Sequence, residues 1–199
     1  MIHPNTLIRT VSPHIGNGVF ATARIPQGTI VVVRDSFDIV LTQQEFQNLP
    51  QLVHAMMETH LYRDKHGNLI LSWDHAKYMN HSCCSNTMMT DYGFEIAVRD
   101  ILPGEQVTSD YGLLNVLESY PIDCTCPRCC QGLQVDDIDN HADEWDVQIK
   151  QSMLLIPCNQ QPLQDLLSDM AKQQLNEFLQ IPTSYRSVRN LKWRPADKD

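Results

Sequence analysis

Turn-forming residues cut the first 110 positions into pieces too short for anything but small strands and brief helices. Leu7 to Val11, Val19 to Ala23 and Thr29 to Val33 are β-branched or apolar, and Gly16, Gly18 and Pro26-Gln27-Gly28 interrupt them. Thr42 followed by Glu45 is a capping-box pair, which predicts a short helix from about Thr42 to before Pro50. Leu52, Val53, Met56 and His60 share one helical face up to about Leu61. Tyr62 to Leu71 reads as a hairpin turning at His66-Gly67-Asn68. Phe94 to Arg99 alternates as a strand, Pro103-Gly104 fits a type II turn, and Val107 to Tyr111 resumes extended structure. After Cys130 the texture changes. Leu163, Leu166, Leu167, Met170 and Phe178 fall on one helical stripe that ends before Pro182, read as a helix packed on its own domain. The predicted class is α+β, rich in short strands, with a mainly helical C-terminal extension over 134–199.

A chain of 199 residues suits one domain, or one domain with an appendage. At this size ~70% of the unfolded surface can be buried, so no disulfide is needed to make a core. No apolar run approaches the ~18 residues of a membrane span, and Met1 to Val11 has no stretch like a signal peptide. An intracellular protein, of cytoplasm or nucleus and without a membrane partner, is therefore expected. Fifteen Lys and Arg against 24 Asp and Glu give a net charge of −9. That balance argues against direct nucleic-acid binding, which needs a basic face, and suits a basic partner. Asp136, Asp137, Asp139, Asp143, Glu144 and Asp146 form an acidic block, while Arg186, Arg189, Lys192, Arg194 and Lys198 form a basic tail. These read as a solvated face and a loose end.

Seven cysteines, an odd number, do not make a secreted disulfide framework, and Cys124, Cys126, Cys129 and Cys130 crowd into seven residues. In a reducing compartment such clustered thiols read first as metal ligands.

Four motifs occur in order: Gly16-Asn17-Gly18-Val19-Phe20, Asn80-His81-Ser82-Cys83, Gly104-Glu105-Gln106-Val107-Thr108-Ser109-Asp110-Tyr111-Gly112, and Cys124-Thr125-Cys126-Pro127-Arg128-Cys129. The Gly-x-Gly lacks the third glycine and the strand–helix setting of a dinucleotide site. Together, the four resemble the SET domain of protein lysine methyltransferases with its trailing cysteine (post-SET) segment. The resemblance implies several small curled sheets with a knot-like crossing at the active site. It divides the chain into a SET domain over 5–117, with an insert at about 36–70, and a zinc segment over 118–133, ahead of the helical extension.

The resemblance also implies roles. Gly16, Asn17, Gly18, Asn80 and His81 would hold S-adenosylmethionine, and Tyr111 would be the active-site tyrosine. Tyr62 and Tyr78 are the candidate aromatic walls of a substrate channel, with His60 an alternative to Tyr62. Cys83, Cys124, Cys126 and Cys129 would bind one structural zinc, with Cys84 and Cys130 as neighbouring competitors. Two departures from the family pattern matter. Ser85, rather than proline, precedes Asn86, and Ser109 stands where many members place Phe or Tyr. A small residue there favours methylation beyond the first step. The implied activity is methyl transfer to a lysine in a basic protein tail such as a histone's. A non-histone substrate, or a catalytically weak SET module serving as a zinc-stabilised interaction domain, are the alternatives. The sequence leaves oligomeric state open.

Overall fold

The computed structural model describes residues 1–122, 124 and 132–194. Its strands follow the punctuation of the sequence: β1 (Thr6–Ser12), β2 (Gly16–Ala21) and β3 (Ile30–Val33), then β4 (Ile39–Leu41). Helix α1 (Gln43–Gln47) starts at the predicted capping box: the Thr42 hydroxyl accepts from the Glu45 N–H, and the Glu45 carboxylate reaches back to the Thr42 N–H. Helix α2 (Gln51–Met57) passes into a 3₁₀ turn at Glu58–His60. Its expected apolar face finds no core, and Leu52 and Met56 are 74% and 69% exposed. β5 (Tyr62–Arg63) and β6 (Leu69–Leu71) make the predicted hairpin, and Gly67 takes φ +83° at its turn. β7 (Asn80–His81), β8 (Thr87–Met89), β9 (Phe94–Ala97) and β10 (Gln106–Ser109) complete the strands, and helices α3 (Asp137–Met153) and α4 (Asp169–Gln180) follow.

Among the described residues two sheets form. The larger runs β1-β2-β10-β8-β9-β3 with β7 also on β10, and the smaller is β4-β6-β5. β10 is the strand that joins the pieces. Its first half pairs antiparallel with β2 (Val107↔Val19), and its second half pairs parallel with β7 (Thr108↔Asn80) and β8 (Ser109↔Thr87). The small sheet lies within the predicted insert.

The C-terminal part is no appendage. Ile138, Ala142, Trp145, Ile149 and Met153 of α3 and Leu175 and Phe178 of α4 share one buried cluster with Ile30, Val33, Phe94 and Ile96 of β3 and β9. The predicted single stripe from Leu163 to Phe178 is two pieces. A 3₁₀ turn at Gln164–Leu166 ends at extended Leu167, and Ser168 then caps α4 by accepting from the Ala171 N–H. Leu163 and Leu167 are buried, whereas Leu166 and Met170 are exposed.

The acidic block and basic tail also differ from expectation. The block is the N-terminal half of α3, whose opposite face carries the core residues. Its outer face holds the tail: Arg189 meets Asp143 at 2.9 Å, Lys192 meets Asp139 at 3.4 Å, and Asp146 accepts from Tyr185 Oη and the Val188 N–H at 2.9 Å each. Arg186 pairs with buried Asp91, which also takes Lys65 from the β5–β6 turn. Opposite charges drawn together across the fold turn a loose end into a strap. Lys198 lies outside the described residues.

Candidate active site

Asn86 fixes the strand that carries the site. It is fully buried, its Oδ1 accepts from the Thr108 N–H at 2.8 Å, and its Nδ2 donates to Gln106 O at 2.8 Å. The amide thus satisfies β10 where no strand partner does, as a buried backbone requires. On the other edge, Asn80 Nδ2 donates to Asn17 O at 3.0 Å, so the Asn-His and Gly-Asn-Gly motifs meet. Gly18 is needed at that junction, because a Cβ would sit 2.7 Å from Gln106 Nε2 and from Val11, and 3.0 Å from Asn80 Nδ2. Gly16 has φ +80° with open space where a side chain would project, leaving bare main chain facing outward.

Tyr111 does not continue β10. It opens a 3₁₀ turn capped by Asp110, whose Oδ1 accepts from the Gly112 N–H at 3.0 Å. Burial pushes the Asp110 carboxyl up to about 6, with the Gly112 N–H pulling against it. The Tyr111 N–H donates to His81 Nδ1 at 3.1 Å, and the Tyr111 hydroxyl donates to Met79 O at 2.6 Å. Both ends of the residue are therefore held by the Met79–His81 segment, which carries the Asn-His motif. Burial pushes its phenol well above the ordinary tyrosine range, with Glu95 adding to the effect, so the hydroxyl keeps its proton.

His81 is spent on this task. Its Nδ1 accepts from Tyr111, so the neutral ring carries its proton on Nε2, which faces Cys83 Sγ at 3.3 Å. Burial lowers its pKa to about 4, so the ring offers no positive charge to Asp110, 3.9 Å from Nδ1.

A cavity of about 630 Å³ opens beside Tyr111. Of the predicted channel residues, Tyr62 and Ser109 line it with Tyr111, and so does His60. Tyr78 is not among the lining residues; its ring meets His60 edge-on at 5.0 Å and packs against the core under β2. Burial raises the Tyr62 phenol as well. Ser109 Oγ is buried without a hydrogen-bond partner among the described residues. Sequence reasoning missed Glu95 of β9, which also lines the cavity and whose Oε2 accepts from the Thr87 hydroxyl at 2.9 Å. The strand pattern was its only signal, since alternation places Glu95 opposite the buried Phe94 and Ile96.

His81, Cys83 and Cys124 bring their ligand atoms within 4.8 Å of one another. Thiolate donors at this spacing suit zinc. His81 does not suit it as a ligand, because a ring that accepts at Nδ1 has its Nε2 lone pair replaced by a proton; it can instead donate to the Cys83 sulfur. Cys126 and Cys129 lie outside the described residues.

Among the described residues no helix is long and apolar enough to cross a membrane. A search of curated proteins finds no match. Two solved structures resemble the chain. One is a Plasmodium falciparum protein assigned as a histone methyltransferase, at 19% identity and TM-score 0.40, covering 55% of this chain and 95% of that one. The other is the methyltransferase domain of human histone-lysine N-methyltransferase SETMAR, at 17% identity and TM-score 0.47, covering 67% of this chain and 58% of that one. The SET domain family model matches residues 16–112, the span from the first glycine of Gly-Asn-Gly to the glycine after Tyr111. With all three inner motifs brought onto β2, β7 and β10, residues 16–112 of this chain are a SET domain.

Proposed function

We propose that this chain is an S-adenosylmethionine-dependent protein lysine N-methyltransferase acting on a basic protein segment such as a histone tail. The observation that carries the reading is Tyr111: a protonated hydroxyl held on Met79 O at the wall of a cavity, beside the segment whose Asn80 meets Asn17. When bound, S-adenosylmethionine would supply an electrophilic methyl group on a sulfonium sulfur to the lone pair of a neutral amine, with the thioether as the leaving group. The residues present fit this cofactor. Bare main chain at Gly16 and the Asn80 amide can take its polar amino-acid end, and His81, with its ring engaged, would contribute backbone only.

The cavity residues would receive the lysine. Because the Tyr111 proton is committed to Met79 O, its oxygen lone pairs can accept an N–H from the amine and fix the direction of the remaining lone pair. Tyr62 supplies an aromatic wall that tolerates a methylammonium product through cation–π contact. A lysine has a pKa of ~10.4 in water, and transfer from water into this cavity favours its neutral form. Radiolabelled methyl transfer to histones and to whole-cell lysate, with Tyr111→Phe as control, tests the reading; a folded wild type that labels nothing in either would overturn it.

The same reading assigns one structural zinc to Cys83, Cys124, Cys126 and Cys129, with His81 Nε2–H donating to the Cys83 thiolate. Purified protein should then carry about one zinc per chain. Elemental analysis checks this, and Cys83→Ser should lose the metal. Full zinc occupancy in that variant would remove Cys83 from the set.

Ser109 sets the third expectation. A second methylation requires the monomethylated amine to rotate in place, which a large ring beside Tyr111 would block. Wild type should therefore pass beyond monomethyl-lysine, and Ser109→Tyr should shift product towards one methyl without loss of cofactor binding. Mass spectrometry of a time course reads both outcomes; a wild type that stops at one methyl in excess cofactor places the limit elsewhere in the cavity.

A further inference from the structure

Glu95 is a carboxyl group built into the cavity that the reading above does not use. It lies on β9 between buried Phe94 and Ile96, and it lines the same space as Tyr62, Ser109 and Tyr111. No cation pairs with it among the described ion pairs, although Arg34 and Lys65 of the same cavity are both engaged, with Asp64 at 2.9 Å and Asp91 at 2.5 Å. A half-buried carboxylate with no counter-charge is costly unless a ligand supplies one. Burial holds its pKa above the ordinary carboxylate range, against hydroxyl contacts from Thr87 and Ser109 that pull it down. The Ser109 contact falls outside hydrogen-bonding geometry, so Thr87 is the partner that counts.

The Thr87 contact is two-way. Thr87 Oγ1 lies 2.9 Å from Glu95 Oε2 and 3.0 Å from Thr108 O, but the hydroxyl has one proton. When Glu95 is ionised, that proton points at its carboxylate. When Glu95 is protonated, it can donate to Thr87 Oγ1, and Thr87 then donates to Thr108 O. Either protonation state is satisfied by a rotation of one hydroxyl, which is what a group that takes up and gives back a proton requires.

Resting on the methyltransferase reading, we propose that Glu95 binds the target lysine's ammonium in the cavity and accepts its proton before methyl transfer. The Nζ–H bond breaks, the proton passes to a Glu95 oxygen, and nitrogen keeps the electron pair that then forms the N–C bond. The positive charge ends on the methylated nitrogen, and Glu95 returns its proton to water after the product leaves. The titratable groups beside Glu95 are Tyr62 from β5 and Tyr111 from the turn after β10, both held protonated by burial. Asp38 of the same cavity, also raised by burial, adds no positive charge that could replace the ammonium.

Radiolabelled methyl transfer to whole-cell lysate is measured for wild type, Glu95→Gln and Glu95→Asp from pH 7 to pH 10. Glu95→Gln should be slower by roughly 100-fold at pH 7, the low end of general-base contributions. The deficit should close to under about 10-fold near pH 10, where solution itself deprotonates lysine at its pKa of ~10.4. Glu95→Asp should recover part of the rate with the wild-type pH trend. A purely structural role would give a deficit that does not change with pH, and that result overturns the proposal. The second readout needs no cofactor and no turnover. Carboxyl-labelled protein is titrated by NMR with n-butylammonium, the lysine side chain cut free, and with 1-butanol as control. The Glu95 resonance should respond to the ammonium only, and an equal response to both overturns the binding role. If wild type labels nothing while butylammonium still moves Glu95, the methyltransferase reading fails and the cation site stands.

Discussion

Replacing Tyr111 by phenylalanine should lower methyl transfer by roughly 100- to 1,000-fold, the usual cost of removing one preorganised polar group from a transition state. The loss should fall on kcat more than on cofactor affinity. The Tyr111 N–H to His81 contact and the ring position survive the change, and the Asn80–Asn17 junction lies elsewhere. What disappears is the oxygen held 2.6 Å from Met79 O. Calorimetric titration with S-adenosylmethionine beside a steady-state assay separates the two quantities. A rate within about threefold of wild type would mean that the hydroxyl orients nothing in the reaction.

Trp145→Ala should unfold the protein at a markedly lower temperature. Trp145 is 6% exposed in the cluster that joins α3 to β3 and β9, and emptying such a site costs about 3–5 kcal/mol. For a chain of this length that corresponds to a drop in Tm of roughly 10 °C. Activity should fall further than stability alone predicts. The Trp145 ring packs where a Gly112 Cβ would lie, 2.9 Å from its edge, and so supports the turn that begins at Tyr111. Differential scanning calorimetry, with assays well below the variant's transition, checks both parts. A Tm within about 3 °C of wild type would mean that the C-terminal helices add little to the core they share with β3 and β9.

The capping box at Thr42, the hairpin around Gly67 and the first three strands are local matters of turn chemistry and alternation, and the chain reads them openly. Helix α3 is harder to see because the chain from its N-cap through its first half is crowded with acid. Six carboxylates draw attention from Ile138, Ala142, Trp145 and Ile149, which follow helical spacing among them. The break before α4 turns on Ser168, a capping residue that ends one apolar stripe and starts another. The motifs point to β2, β7 and β10, but which tyrosine lines the cavity depends on a hairpin far from Tyr111 in the chain. Glu95 is hidden for a related reason. The face of β9 that alternation marks as outward opens on the cavity instead of on solvent.

The way β10 is held has a consequence in time. The β1–β2, β5–β6 and β8–β9 pairs are antiparallel neighbours in the chain and can close early over short loops. β10 must wait for β2, some 90 residues earlier, and must also meet β7 in parallel across the whole β8–β9 hairpin. Contacts of such sequence separation are slow to form. Refolding should therefore restore most of the core before it restores Tyr111 to Met79, and the cavity wall at Tyr111 should be the last feature of the molecule to mature.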